Sequence, residues 1–128
     1  KYHIPCLIYA PSLIQPRIEN KLTSQIDLAP TLLGMLNLQY NSKFFGFDIN
    51  RSLPENERIF ISTYQDIGFL KNDTMVVLSP KKKVAMYKVN MKTYVTSAIP
   101  LDNGKVNEAI SWYQGASFLY RTKRYKAN

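Results

Sequence analysis

Apolar residues crowd the first third of the chain in two different patterns. Ile4-Pro5-Cys6-Leu7-Ile8-Tyr9-Ala10 is an unbroken apolar run stopped by Pro11-Ser12, the pattern of a strand covered on both faces, as in a parallel sheet layered with helices. Pro5 has no ladder donor, so it belongs at the first residues of that strand or at a bulge. Cys6 reads there as a small buried hydrophobe. Pro11 to Lys21, with Pro16 and several polar residues, reads as a surface connection. Thr23 to Leu38 then takes a helical period. Asp27 offers its carboxylate to the free N–H groups of the first turn, Pro30 falls where no intrahelical donor is lost, and Leu32, Leu33, Met35 and Leu36 form the apolar face. Asn37 or Asn41 ends it.

Phe44-Phe45-Gly46-Phe47-Asp48 follows as an aromatic loop, in which Gly46 is expected to supply a backbone conformation that bulky residues resist. From Arg58 to about Val95 the period changes to two. Arg58 to Tyr64, Ile67 to Lys71, Thr74 to Ser79 and Lys83 to Asn90 are short segments rich in Ile, Val, Phe, Tyr and Thr, separated by turn residues. Gaps of two to four residues predict hairpins and hence an antiparallel meander. After Asp102-Asn103-Gly104, residues Val106, Ala109, Trp112, Tyr113, Ala116, Leu119 and Tyr120 mark one stripe of a helix running to about Thr122. Glu108 lies toward its positive end and Arg121, Lys123 and Arg124 near its negative end.

Charge divides the chain differently. Its 17 basic and 9 acidic residues give a net charge of +8. Residues 1–70 carry six of each sign and cancel, so the whole excess lies in residues 71–128. A basic, Tyr-rich half permits nucleic acid, anionic polymer or lipid as a partner. The plainer reading makes Lys71, Lys81 to Lys83, Lys88 and Lys92 solvated turn and edge-strand residues. Trp112, Tyr113 and Tyr120 are then buried against the small sheet, and adhesion to polyanions is weak, salt-sensitive and without specificity for nucleic acid.

Candidate chemistry is sparse. The single Cys excludes an internal disulfide, and one Cys with one His makes an all-protein zinc site a poor fit. No Gly-x-Ser-x-Gly elbow, phosphate-cradling Gly-rich loop or His-Glu-x-x-His pair occurs. Asp27 reads as a cap, and Asp48 and Asp66 as loop residues. The opening on Lys1-Tyr2-His3, at the threshold of a strand, leads us to expect a piece of a longer protein.

Two stretches taken together resemble the sulfatase family within the alkaline phosphatase superfamily. Tyr2-His3-Ile4-Pro5-Cys6-Leu7-Ile8-Tyr9-Ala10-Pro11 is similar to the strand that follows the family's late metal-binding Asp-His pair. Ser24-Gln25-Ile26-Asp27-Leu28-Ala29-Pro30-Thr31-Leu32-Leu33-Gly34-Met35-Leu36 is similar to its "s-x-x-D-x-x-P-T-L-L" strand-to-helix segment. Phe44-Phe45-Gly46-Phe47-Asp48 resembles the "FFGxD" of the branch containing lipoteichoic acid synthases and phosphoglycerol transferases. Val77 to Lys83 and Glu108 to Gln114 look like that branch too.

The resemblance implies an α/β fold, with this chain as the C-terminal subdomain of a larger catalytic domain. Residues 1–50 are then the strand, helix and loop completing the main sheet, and residues 51–128 a small antiparallel sheet closed by the last helix. It implies a metal-dependent enzyme, using Mn, Mg, Zn or Ca, that transfers or hydrolyses phosphate or sulfate esters, with substrates that include lipid-linked ones. It also implies membrane anchorage through upstream helices, an extracytoplasmic catalytic domain, and a nucleophile and metal ligands that precede Lys1. The partner of this chain is then the upstream part of its own domain. His3 is the one candidate site residue here, because some superfamily members place a His before this strand, facing the metal or substrate phosphate. A neutral imidazole suits a metal and an imidazolium suits a phosphate oxygen, while a plain polar residue at a strand entry accounts for His3 equally well. The alternative to the enzyme reading is a self-contained basic module, residues 71–126, that binds anionic lipid or polymer.

Overall fold

The computed structural model describes residues 3–43 and 45–126. Five strands form one antiparallel sheet in sequence order: β1 (Arg58–Ser62), β2 (Ile67–Lys71), β3 (Thr74–Ser79), β4 (Lys83–Val89) and β5 (Thr96–Ile99). Helices α1 (Leu28–Met35) and α2 (Asn103–Arg121) flank it, and short 3-10 turns occur at Gln25–Asp27 and Pro54–Asn56.

The register explains the core. Phe60 pairs with Phe69, Phe69 with Val76, Val76 with Met86 and Met86 with Ile99, so one residue from each strand lies in a single row on one face. Helix α2 lays Val106, Ala109, Trp112 and Tyr113 on that row. Asp102 caps α2 by accepting from the Lys105 backbone N–H at 3.0 Å. Phe60 sits 5.5 Å from the Phe69 ring, 5.5 Å from Trp112 and 5.8 Å from Tyr113, the last two edge-on. Such geometry adds about 0.5–1.5 kcal/mol per pair beyond burial.

The Tyr113 hydroxyl donates to the Gly68 carbonyl at 2.8 Å, and burial pushes its phenol above the ordinary value. The folded state therefore holds that proton more tightly than the unfolded chain. Stability contributed by Tyr113 is complete below the ordinary phenol value of about 10 and is lost as pH rises from there through the raised value of the folded state. We expect Tyr113→Phe to cost about 1 kcal/mol near neutrality and to flatten the alkaline fall. Urea titrations at neutral and alkaline pH check this; equal alkaline slopes for both proteins would remove Tyr113 from the account.

Three of the four predicted segments lie close to their expected bounds, and the differences are informative. β1 stops at Ser62 rather than Tyr64, because the Thr63 N–H donates to Asp66 O and the Asp66 N–H to Thr63 Oγ1, closing the hairpin. β5 adds a strand that the sequence reading did not mark, although Val95-Thr96 carries the β-branched signal. Lys71 and Lys88 are not edge residues. β2 and β4 are interior strands, and these lysines pair with Glu108 at 2.6 Å and Asp73 at 2.5 Å. The Lys88 ammonium holds the Asp73 carboxyl below its usual range. Lys81 and Lys82 do form the solvated turn, both at φ 60°, the left-handed pair that matches sheet twist.

The first half departs further from expectation. Residues 4–10 form no strand and make no ladder with the five described strands. A strand inside a parallel sheet is defined by neighbours on both sides, and none of β1–β5 provides one. Leu7 is 90% exposed and Cys6 is exposed rather than buried. Helix α1 is shorter than the predicted Thr23–Leu38, and Leu32 and Leu36 of its apolar face point to solvent. Asn37, at φ 52°, ends it; its N–H reaches Gly34 O and that of Leu38 reaches Leu33 O, both at 3.0 Å.

Candidate functional site

The most heavily constructed polar site is a buried ion pair linking the two halves. Asp27 and Arg58 are only 2% and 3% exposed. Arg58 is the first residue of β1, on the face that meets α2, so its guanidinium enters among Phe47, Phe60 and Trp112, whose ring centres lie 4.4, 5.4 and 5.6 Å from it. There its two terminal nitrogens donate to the two Asp27 oxygens at 3.0 and 2.9 Å, and one donates also to Phe45 O at 2.7 Å. This bidentate fork is the strong form of the carboxylate pair.

Asp27 reaches further than a cap. Its Oδ2 accepts from the Ser24 N–H and its Oδ1 from the Phe47 N–H, each at 2.8 Å. It spends none of its lone pairs on the first turn of α1, which corrects that expectation. Around it, Ser24 Oγ accepts from the Phe60 N–H at 2.9 Å, occupying an outward donor of edge strand β1. Thr31 Oγ1 donates to Asp27 O at 2.6 Å and accepts from the Ile49 N–H at 3.0 Å. Shut away from solvent and with both oxygens engaged, this carboxylate holds residues 24–31, 45–49 and 58–60 together. Asp48 and Asp66 are loop residues, as expected, with Asp48 accepting from the Asn50 N–H at 2.9 Å.

Gly46 belongs to the same knot for a reason different from the one expected. No glycine of the described residues has positive φ. Gly46 is required for space instead, since a Cβ there would stand 1.9 Å from Ile26 O. Phe45 and Phe47 on either side place their rings 6.0 and 6.2 Å from Trp112. Phe44 of the same motif lies outside the described residues.

His3 is exposed, and its ring centre is 6.3 Å from that of Tyr94 in the β4–β5 connection. The fold does not bring it to the Asp27–Arg58 pair. The aromatic residues proposed for stacking divide. Trp112 and Tyr113 pack on the core, whereas Tyr120 is 75% exposed and stacks on Tyr125 at 6.1 Å, contrary to the expectation that it is buried. Its turn of α2 has run past the end of the sheet face. Among the described residues no three His, Cys, Asp or Glu side chains gather where a metal ion would be held.

No family model matches the chain. Its structure is similar to that of a protein in the alkaline phosphatase superfamily from Vibrio parahaemolyticus, with a TM-score of 0.84 and 28% identity over 90% of this chain. The fold is alkaline-phosphatase-like. The α/β class expected from the sequence is therefore the one observed. This chain spans 28% of the Vibrio protein's length.

Proposed function

We propose that the chain forms part of a metal-dependent enzyme that transfers or hydrolyses phosphate or sulfate esters, in the manner of sulfatases and phosphoglycerol transferases. The observation that carries this reading is the similarity to the alkaline phosphatase superfamily protein over 90% of the chain. The order and spacing of the Tyr2–Pro11 and Ser24–Leu36 stretches support it. In this reading the chain is the C-terminal subdomain. It provides one wall of the active site, with the Asp27–Arg58 knot holding that wall to the small sheet.

Among the described residues no side-chain cluster fits a divalent cation. The nucleophile and metal ligands are assigned to other segments of the enzyme. His3, exposed at the entry to residues 4–10, is the side chain available to face the substrate, where an imidazolium can hold a phosphate oxygen. Membrane anchorage and the extracytoplasmic position belong to the same proposal. Among the described residues no helix is long and apolar enough to cross a membrane.

The test is turnover of an aryl phosphate and an aryl sulfate, with and without added divalent metal. The 128-residue chain alone is expected to be inactive, because charge developing on the transferred group needs stabilisation it cannot supply. The chain joined to its upstream coding sequence is expected to be active, with His3→Ala lowering kcat by at least about tenfold. Kinetics unchanged within about twofold would make His3 a plain boundary residue, and metal-dependent turnover by the 128-residue chain would refute the division of labour proposed.

A further inference from the structure

We infer that the tip of α2, residues 118–126, is a contact for an anionic lipid surface, in which exposed Phe and Tyr rings enter the headgroup layer and basic side chains meet the lipid phosphates. The contact is peripheral and made by this chain itself. It does not rest on the ester-transfer reading above.

The charge excess of residues 71–128 has a focus at this tip. Arg121, Lys123, Arg124 and Lys126 lie close together, and no acidic residue occurs from Ala109 to Asn128. All four are exposed, and no carboxylate of the described residues pairs with any of them. Aromatic surface accompanies the charge. Phe118, Tyr120 and Tyr125 are each more than half exposed, where a merely solvated helix end would carry polar side chains. Exposed rings beside Lys and Arg are the composition of the membrane–water interface, where the ring lies among headgroups and the long basic side chain extends to phosphate. Weak adhesion without specificity was expected on the premise that Tyr120 is buried, and its exposure removes that premise.

The tip is also a defined structure. The Arg124 N–H reaches Leu119 O at 3.0 Å and the Lys123 N–H reaches Tyr120 O at 3.1 Å, with Lys123 at φ 56°, the pair of bonds that reverses a chain at a helix end. The reversal lays Tyr125 on Tyr120, with 18° between the ring planes, and brings the Arg124 guanidinium 5.4 Å from the Phe118 ring centre. Lys43 secures it by donating to Arg124 O at 2.7 Å and Lys126 O at 3.1 Å. The Leu119 and Tyr120 carbonyls, at the helix end whose partial negative charge opposes a phosphate, are thus already occupied.

The same geometry selects lipid among anionic partners. Stacking of nucleic-acid bases uses open ring faces, and here one face of each ring is taken, by the other tyrosine or by the guanidinium. Ring edges and the tyrosine hydroxyls remain, and these suit a boundary that is apolar on one side and wet on the other. A second copy would bring like charges together. An acidic polypeptide would satisfy the cations and leave the rings in water.

The test is co-sedimentation of the 128-residue chain with vesicles of phosphatidylcholine, alone and mixed with phosphatidylglycerol, at physiological salt. We expect binding to the mixed vesicles and at least about tenfold less to phosphatidylcholine alone. Each Lys or Arg is worth about fivefold at such a surface, so Arg121→Gln with Lys126→Gln should weaken binding about 25-fold. Tyr120→Ser with Tyr125→Ser should weaken it at least about tenfold. Lys92→Gln with Lys105→Gln removes as much charge beside the start of α2, beyond the screening length from the tip, and should change binding by less than about twofold. All the substituted side chains are exposed, so melting followed by Trp112 fluorescence should match the wild type. The inference is overturned by no binding to the mixed vesicles, by a tyrosine variant that binds as well as the wild type, or by equal losses from the two charge-removing pairs. Tighter binding to single-stranded DNA or polyglutamate than to the vesicles overturns it too, as does a dimer that the tyrosine variant dissociates.

Discussion

Arg58→Ala is expected to lower the unfolding free energy by about 3–5 kcal/mol, the range for stranding one charge of a buried pair. Asp27 stays buried, keeping only the Ser24 and Phe47 amides as donors. The substitution also empties the space among Phe47, Phe60 and Trp112 that the guanidinium fills. Part of the wild-type stability is already forgone, since Arg58 Nε is buried without a hydrogen-bond partner, and an unpaired buried donor costs about 1–3 kcal/mol. For that reason Asp27→Asn combined with Arg58→Met should recover a good share of the loss, because it removes both charges and refills the aromatic pocket. Urea denaturation followed by circular dichroism measures all three proteins. A loss below about 1 kcal/mol for Arg58→Ala would reduce the pair to the standing of an exposed salt bridge.

The small sheet was legible because its information is local. Two-residue periodicity with Asn72-Asp73 and Pro80-Lys81-Lys82 as punctuation specifies hairpins between neighbours in sequence, and those hairpins formed with nearly the expected bounds. The strand expected over residues 4–10 is not observed. Its apolar run states that both faces should be covered, but the covering elements are not among β1–β5. The Asp27–Arg58 pair was not legible, because 31 residues separate its members and each had an adequate local role, Asp27 at a helix start and Arg58 at a strand start. A basic residue opening an apolar strand on the core-facing parity was the one available signal, and it needs the register of β1 to be read.

Gly46 shows the same limit from the side of shape, and its replacement is the second large effect expected. A glycine between bulky aromatic residues predicts an unusual φ, on which basis alanine would be strained by its own backbone. The structure places the obstacle elsewhere. The added methyl group would lie 1.9 Å from Ile26 O, 2.6 Å from Ile26 C and 3.0 Å from Asp27 N, all backbone atoms of the turn that leads into α1. No rotamer change relieves such a contact, so residues 45–48 must separate from residues 24–27. That movement pulls directly on the Phe47 N–H bond to Asp27 and the Phe45 O bond from Arg58. We therefore expect Gly46→Ala to cost at least about 3 kcal/mol, at the upper end of overpacking, and to be strongly non-additive with Arg58→Ala, since both break one network. Denaturation of the two single variants and the double variant forms the cycle. Additivity within about 0.5 kcal/mol would mean that the loop and the ion pair hold the two halves together independently.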